Sequence, residues 1–141
     1  DNVINRIMSY DTLRMEDTHC ISQDGQRIYY TLRNAIITMD MKGNKLNTFE
    51  SSGLNDARGI TVDKKEGIIY CCGKASKTVA QIVPQGRQPG ILLSQDDGLQ
   101  NPCGICLNDS NDTILVFEEE SNDVKVFKIL RCYYFPYPSI G

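Results

Sequence analysis

The chain has 141 residues, 40% of them hydrophobic and 23% charged, with a formal net charge of −3. This is the composition of a soluble globular domain that can bury roughly 68% of its unfolded surface. The acidic balance argues against a general nucleic-acid binder working by phosphate neutralisation, and no apolar run nears the ~20 residues of a membrane-spanning helix.

In chain order, residues 1–19 read as the tail of a preceding unit and a linker. Ile7-Met8-Ser9-Tyr10 and Leu13–Asp17 stand where Leu46–Asp56 stand before the next unit. Asp1–Arg6 has neither an apolar core nor a cleavage site, so no signal peptide is read there. The first unit, 20–56, runs Cys20-Ile21-Ser22, the turn Asp24-Gly25, then Ile28-Tyr29-Tyr30, Ile36–Asp40 and Lys45–Phe49. The second, 57–101, runs Gly59-Ile60-Thr61-Val62-Asp63, a polar turn to Gly67, Ile68–Cys72, Val79–Val83, the turn Pro84–Arg87, and Gly90–Leu93. The third, 102–130, has Cys103–Asn108, a polar turn, Thr113–Phe117 and Val124–Lys128, and stops short of a fourth strand. Val124–Ile129 alternates as a strand with one wet face does. In the tail, 131–141, Pro136 and Pro138 exclude a central strand because each lacks a ladder donor.

The copies keep a fixed spacing. Ile60 and Ile105, like Ile69 and Ile114, lie 45 residues apart, and Ile28 precedes Ile69 by 41. Such a period marks four-stranded propeller blades, and no window has helical periodicity. The expected fold is all-β: about three four-stranded antiparallel blades, too few to close a ring, and hence open as a piece of a longer propeller, or completed by a partner such as a second copy.

Gly59-Ile60-Thr61-Val62-Asp63, followed by Gly67-Ile68-Ile69-Tyr70, a polar loop and a strand like Val124-Lys125-Val126-Phe127, resembles the NHL repeat. The resemblance spans roughly residues 17–130. It weakens in the third unit, where Cys106 and Leu107-Asn108 replace Val and Asp, and further in the first, which lacks the Gly. It implies a propeller that is six-bladed when complete, as in the C-terminal region of tripartite-motif proteins. The implied role is that of a substrate-recognition part of a ubiquitin-ligase relative, not of an enzyme, and a cytoplasmic location goes with it. RNA binding on the same kind of propeller is the alternative. A calcium-dependent hydrolase on a related six-bladed fold is the second.

Loops on a rigid β scaffold commonly carry function. The candidate binding face therefore comprises the loops after the second strand of each unit and the inter-unit linkers. It contains Arg33, Asn34, Asn55, Asp56, Arg58, Lys74, Ser76, Lys77, Asn101, Pro102, Glu118, Glu119, Ser121 and Asn122. The run Glu118-Glu119-Glu120 would repel phosphates, which favours a protein or peptide partner over RNA. No catalytic residue, metal ligand, cofactor or membrane contact is expected. His19 is the single histidine, and no nucleophile-elbow sequence accompanies it. Cys20, Cys71, Cys72, Cys103, Cys106 and Cys132 are read as buried free thiols, since several replace apolar residues within strands. Zinc is disfavoured because Cys71 and Cys72, adjacent in one strand, point to opposite faces. Asp24, Asp63, Asn108 and Asp109 are turn formers rather than calcium ligands. The sequons at Asn108 and Asn111 add weight only to an extracellular location.

Overall fold

The computed structural model describes residues 18–83, 90–108 and 110–130. In these residues the chain forms three antiparallel sheets. The first has strand order β1 (Thr18–Gln23), β2 (Arg27–Leu32), β3 (Ala35–Asp40), β4 (Lys45–Glu50). The second repeats it as β5 (Ala57–Val62), β6 (Ile69–Gly73), β7 (Thr78–Ile82), β8 (Gly90–Leu93). The third holds β9 (Pro102–Leu107), β10 (Thr113–Glu118) and β11 (Val124–Lys128), with β11 at its outer edge among the described residues. Strand β1 lies against β5, and β5 against β9, so the sheets fan out from their first strands as the blades of an unclosed propeller. The expectations that lie in 1–17, in Pro84–Arg87, at Asp109 and in 131–141 fall outside the described residues.

Two departures from the sequence reading concern boundaries. Strand β1 opens at Thr18, inside the stretch read as linker. Among the described residues one 3-10 turn, Gln95–Asp97, interrupts the run of strands; Ser94 caps it and Gly98 closes it at φ 95°. Pro102 opens β9, the strand position where its missing N–H costs least.

Apolar side chains from successive blades fill the space between them. Tyr29 and Ile36 of the first blade pack with Ile60, Val62, Ile69, Cys71, Ala80 and Ile82 of the second. The opposite face of the second blade, with Tyr70, Cys72 and Val79, packs with Ile114 and Val116 of the third. Cys71 and Cys72 thus enter different interfaces, as alternation along a strand requires.

The blade's lower end, where first strand turns into second, is closed the same way three times. Asp24 Oδ1 accepts the amides of Gln26 (2.9 Å) and Arg27 (2.8 Å). Asp63 Oδ1 accepts those of Lys65 (2.9 Å) and Glu66 (3.2 Å). Asn108 Oδ1 accepts those of Asp112 and Thr113, both at 3.0 Å. The recurring acidic or amide residue is therefore a turn device.

Strand β11 alternates, but with the opposite sense to the one-wet-face expectation. Val124 and Val126 are 57% and 64% exposed, whereas Lys125 is turned inward. The reason is Glu118. It is the last residue of β10 and 1% exposed, not part of a solvated triple-Glu loop. Its carboxylate accepts the Gln100 amide (3.0 Å) and the Asn101 amide, and Lys125 Nζ stands 3.4 Å from it while also donating to the Gly98 carbonyl. A buried carboxylate draws a cation in to it.

Candidate functional site

The upper end of the fan gathers the linkers between blades and the turns between second and third strands. Each first strand carries a register irregularity there. It falls between Thr18 and Ile21 in β1, between Ala57 and Ile60 in β5, and opposite Phe117 and Glu118 in β9. Aligning the blades on Ile21, Ile60 and Ile105 makes His19, Arg58 and Cys103 register equivalents, followed by Cys20, Gly59 and Gly104. A bulge re-aims side chains at a strand end. The sequence reading had singled out Arg58 but missed this repetition, whose signal was the Gly-Ile doublet at Gly59 and Gly104.

Gly59 is needed for packing, not for a turn. A Cβ there would lie 2.7 Å from the Cys103 carbonyl oxygen and 2.8 Å from Gly104 Cα, so β5 and β9 approach backbone to backbone.

Around the bulge of β5 lies a set of paired charges. The Arg58 guanidinium meets the Asp56 carboxylate through Nε–Oδ1 (3.0 Å) and Nη2–Oδ2 (3.1 Å), which raises its already high pKa. Lys74 Nζ lies 2.8 Å from Glu119 Oε2 and links the second blade to the third. The hydrogen bond from Lys74, with Arg58 adding attraction, holds the Glu119 carboxyl below its ordinary value. Burial pushes the Cys103 and Cys20 thiols upward, against the opposing pull of Arg58. Cys71 and Cys72 are raised further by deeper burial.

The backbone of this face is pinned from one blade to the next. Asn34 Oδ1 accepts the Asp56 amide (2.8 Å) and the Arg33 carbonyl accepts the Ala57 amide (2.7 Å). Ser76 Oγ accepts the Asn55 amide (3.0 Å) and sits 2.8 Å from Thr78 Oγ1, which donates to the Gly53 carbonyl (2.7 Å). Asn101 presents its carbonyl to the Glu119 amide (3.0 Å). Six described non-glycine residues have left-handed backbone, and five are at this end: Arg33, Asp56, Lys77, Glu120 and Asn122. Such residues persist where surrounding bonds over-determine them.

Thirteen of the fourteen candidate face residues thus converge on one end, and Glu118 lies beneath it as a buried brace. Arg33, Asn34, Asn55, Ser121 and Asn122 are exposed; Asp56, Arg58, Lys74, Ser76, Lys77, Asn101 and Glu119 are half-buried. The first turn of β9 buries Pro102. Two concavities lie at the opposite end. One of about 280 Å³ between the first two blades is lined by Tyr29, Thr38, Asn47 and Phe49. Another of about 320 Å³ between the second and third is lined by Val62, Lys64 and Asn108. In the first, Asp24 is already engaged: its Oδ2 accepts the Tyr29 hydroxyl at 2.8 Å.

Among the described residues no group of three or more His, Cys, Asp or Glu side chains could hold a metal ion. Cys20, Cys71, Cys72, Cys103 and Cys106 are all free thiols. Among these five only Cys71 and Cys72 are buried; Cys20 and Cys103 are half-buried and Cys106 is exposed, against the expectation of buried thiols throughout. No described helix is long and apolar enough to cross a membrane.

No protein-family model matches the chain, and no curated protein sequence does. Solved structures do. Hydrazine synthase from Kuenenia stuttgartiensis is similar over 79% of this chain, with a TM-score of 0.68 and 15% identity. A catalytically inactive H270A virginiamycin B lyase from Staphylococcus aureus, solved with quinupristin, is similar over 79%, with a TM-score of 0.57 and 19% identity. The chain spans 32% and 41% of those two proteins. At such identity the likeness concerns the fold alone, and that fold is a β-propeller.

Proposed function

We propose that the chain is a non-enzymatic binding module of NHL-like blades, the substrate-reading part of a tripartite-motif relative, that takes a protein or peptide on its upper face. The observation that carries the reading is the pinned upper end, where left-handed turns and three bulged strand ends are cross-linked between blades. A surface ordered in advance loses little conformational entropy on binding. The NHL assignment rests on the Gly59–Asp63 motif, whose glycine has a packing reason here. Pairing also favours a protein partner over RNA. Arg58 and Lys74 already neutralise Asp56 and Glu119, so the face offers few uncommitted cations to a phosphate chain.

Selection of a displayed random-peptide library on the folded chain tests the reading. Enriched peptides should bind the wild type and lose about tenfold in affinity, 1.4 kcal/mol, with the double variant Arg33→Asn, Lys77→Asn. Asparagine accepts the left-handed backbone at both positions, so the change removes charge without straining the turn. No enrichment above a denatured sample, or affinity unchanged in the variant, would sink the proposal. Salt-sensitive binding of single-stranded oligouridine, or calcium-dependent hydrolysis of a lactone, would replace it with one of the other readings.

A further inference from the structure

Thr38 carries the one buried side-chain nitrogen or oxygen without a hydrogen-bond partner among the described residues. It is 5% exposed and lies two residues beyond Ile36 in β3, so it shares the side turned to the second blade. Its cross-strand neighbours are Tyr29 and Asn47, and both are engaged elsewhere. The Tyr29 hydroxyl donates to Asp24 Oδ2 (2.8 Å), and Asn47 Oδ1 accepts the Thr48 amide (2.8 Å). A hydroxyl left unmet at such depth destabilises the fold unless something bonds to it. Tyr29, Thr38 and Asn47 form the polar wall of the cavity of about 280 Å³ between the first two blades, and Phe49, Ile69 and Ile82 supply its apolar side.

The second blade builds the same row differently. Register places Gln81 and Gly90 where the first blade has Thr38 and Asn47, and neither lines the concavity facing the third blade. The bulge of the outer strand pair also moves. It follows Thr38 in the first blade, but in the second it lies between Val79 and Ala80, the counterparts of Ile36 and Ile37. Bulges re-aim side chains beside sites. The Thr38 cavity is thus particular to one interface and not a property of the repeat.

From the unmet hydroxyl, the cavity and its restriction to one interface, we propose a binding site for a small uncharged molecule with an apolar body and one hydrogen-bond acceptor, of the aryl amide or aryl ketone class. Its acceptor takes the Thr38 hydroxyl. Size fits: a cavity of about 150 Å³ takes a benzene ring, so this one admits a ring with a polar substituent. Charge fits as well. Asp24 and Arg27, both on the lining, oppose each other, so a charged ligand would leave water without a counter-charge of its own. Asn47, with Oδ1 engaged, adds amide donors, which again calls for an acceptor in the ligand. The site lies away from the upper face and is independent of the partner assigned there.

Benzamide, benzoate and benzylamine, alike in size and different in charge, are the probes. They are titrated into the chain with its isoleucine methyl groups labelled for NMR. Benzamide should shift the Ile69 and Ile82 signals and leave those of Ile105 and Ile114 in place, and the two charged probes should bind about tenfold more weakly. Thr38→Val exchanges the hydroxyl for a methyl of the same shape. It should weaken benzamide binding about tenfold and raise the melting temperature of the free chain, because the unmet group is gone. Thr38→Gln, which brings in the residue of the second blade, should fill the cavity and abolish binding. Unmoved Ile69 and Ile82 signals overturn the proposal, as does a charged probe that matches benzamide. Benzamide affinity unchanged in Thr38→Val overturns it too. A lower melting temperature for Thr38→Val does the same, since the hydroxyl would then already have its partner.

Discussion

Glu118 shows what a single side chain can decide here. Its carboxylate closes the Gln100 and Asn101 amides beneath the upper face and pulls Lys125 out of the solvent row of β11. Replacing it with alanine leaves two backbone donors without a partner, each worth about 1–3 kcal/mol. Glu118→Ala should therefore lower stability in urea by about 3 kcal/mol, and Glu118→Gln, which keeps an acceptor, by about half as much or less. Equal losses would mean that the negative charge facing Lys125, not the acceptor, matters. The sequence could not reveal this residue's place. In a run of three glutamates nothing local distinguishes the one that ends a strand facing inward from the two that follow in the turn. Asp24, Asp63 and Asn108 were legible because their partners lie two to five residues away, within the turn itself.

At the scale of the element, the first strands hold the fan together, and Gly59 sets how closely they approach. Gly59→Ala should cost about 1–3 kcal/mol, since the added methyl meets main chain that cannot rotate away. Amide exchange should quicken where β5 meets β9. Gly90→Ala is the control: nothing lies within 4 Å of its added Cβ, so its unfolding midpoint should hold or rise slightly. If both variants melt alike, the close approach is not what Gly59 serves. Strand identity was legible from alternation and spacing, but the bulges were not. A bulge adds one residue without changing composition, so His19 and Cys103 gave no sign that they share the station of Arg58.

At the scale of the molecule, pH acts from both sides. Partial burial pushes the Asp24 carboxyl up, but the amides of Gln26 and Arg27 and the Tyr29 hydroxyl outweigh it and hold it below 3.8. Hydrogen bonds from Asn44 and Asn108 do the same for Asp40 and Asp112, and Lys74 holds Glu119 below 4.5. Groups depressed on folding stabilise fully above their ordinary values and lose that contribution as pH falls through the folded ones. Buried Cys71 and Cys72, raised above 9.0, stabilise fully below that value and lose their contribution above it. Melting temperature should thus be flat near neutrality and fall at both extremes, with a shallower acid fall in Asp24→Asn; a rise on acidification would contradict the assigned carboxylate partners. The all-β, unclosed architecture was legible from the 41-to-45 spacing, because a repeat announces its own count. The exposure of Val124 and Val126 was not, since their alternation with Lys125 and Phe127 reads the same whichever row faces solvent.

The two ends of each blade also differ in how they could be inherited. The lower turn is closed by a residue bonded to its own loop, so a duplicated blade brings its closure with it. That position has needed only Asp or Asn in all three copies. The upper latches run from one blade to the next, as from Asn34 to Asp56, and every tandem copying event has to rebuild them against a new neighbour. Divergence therefore accumulates at the upper end, where His19, Arg58 and Cys103 fill a single station with three unrelated chemistries.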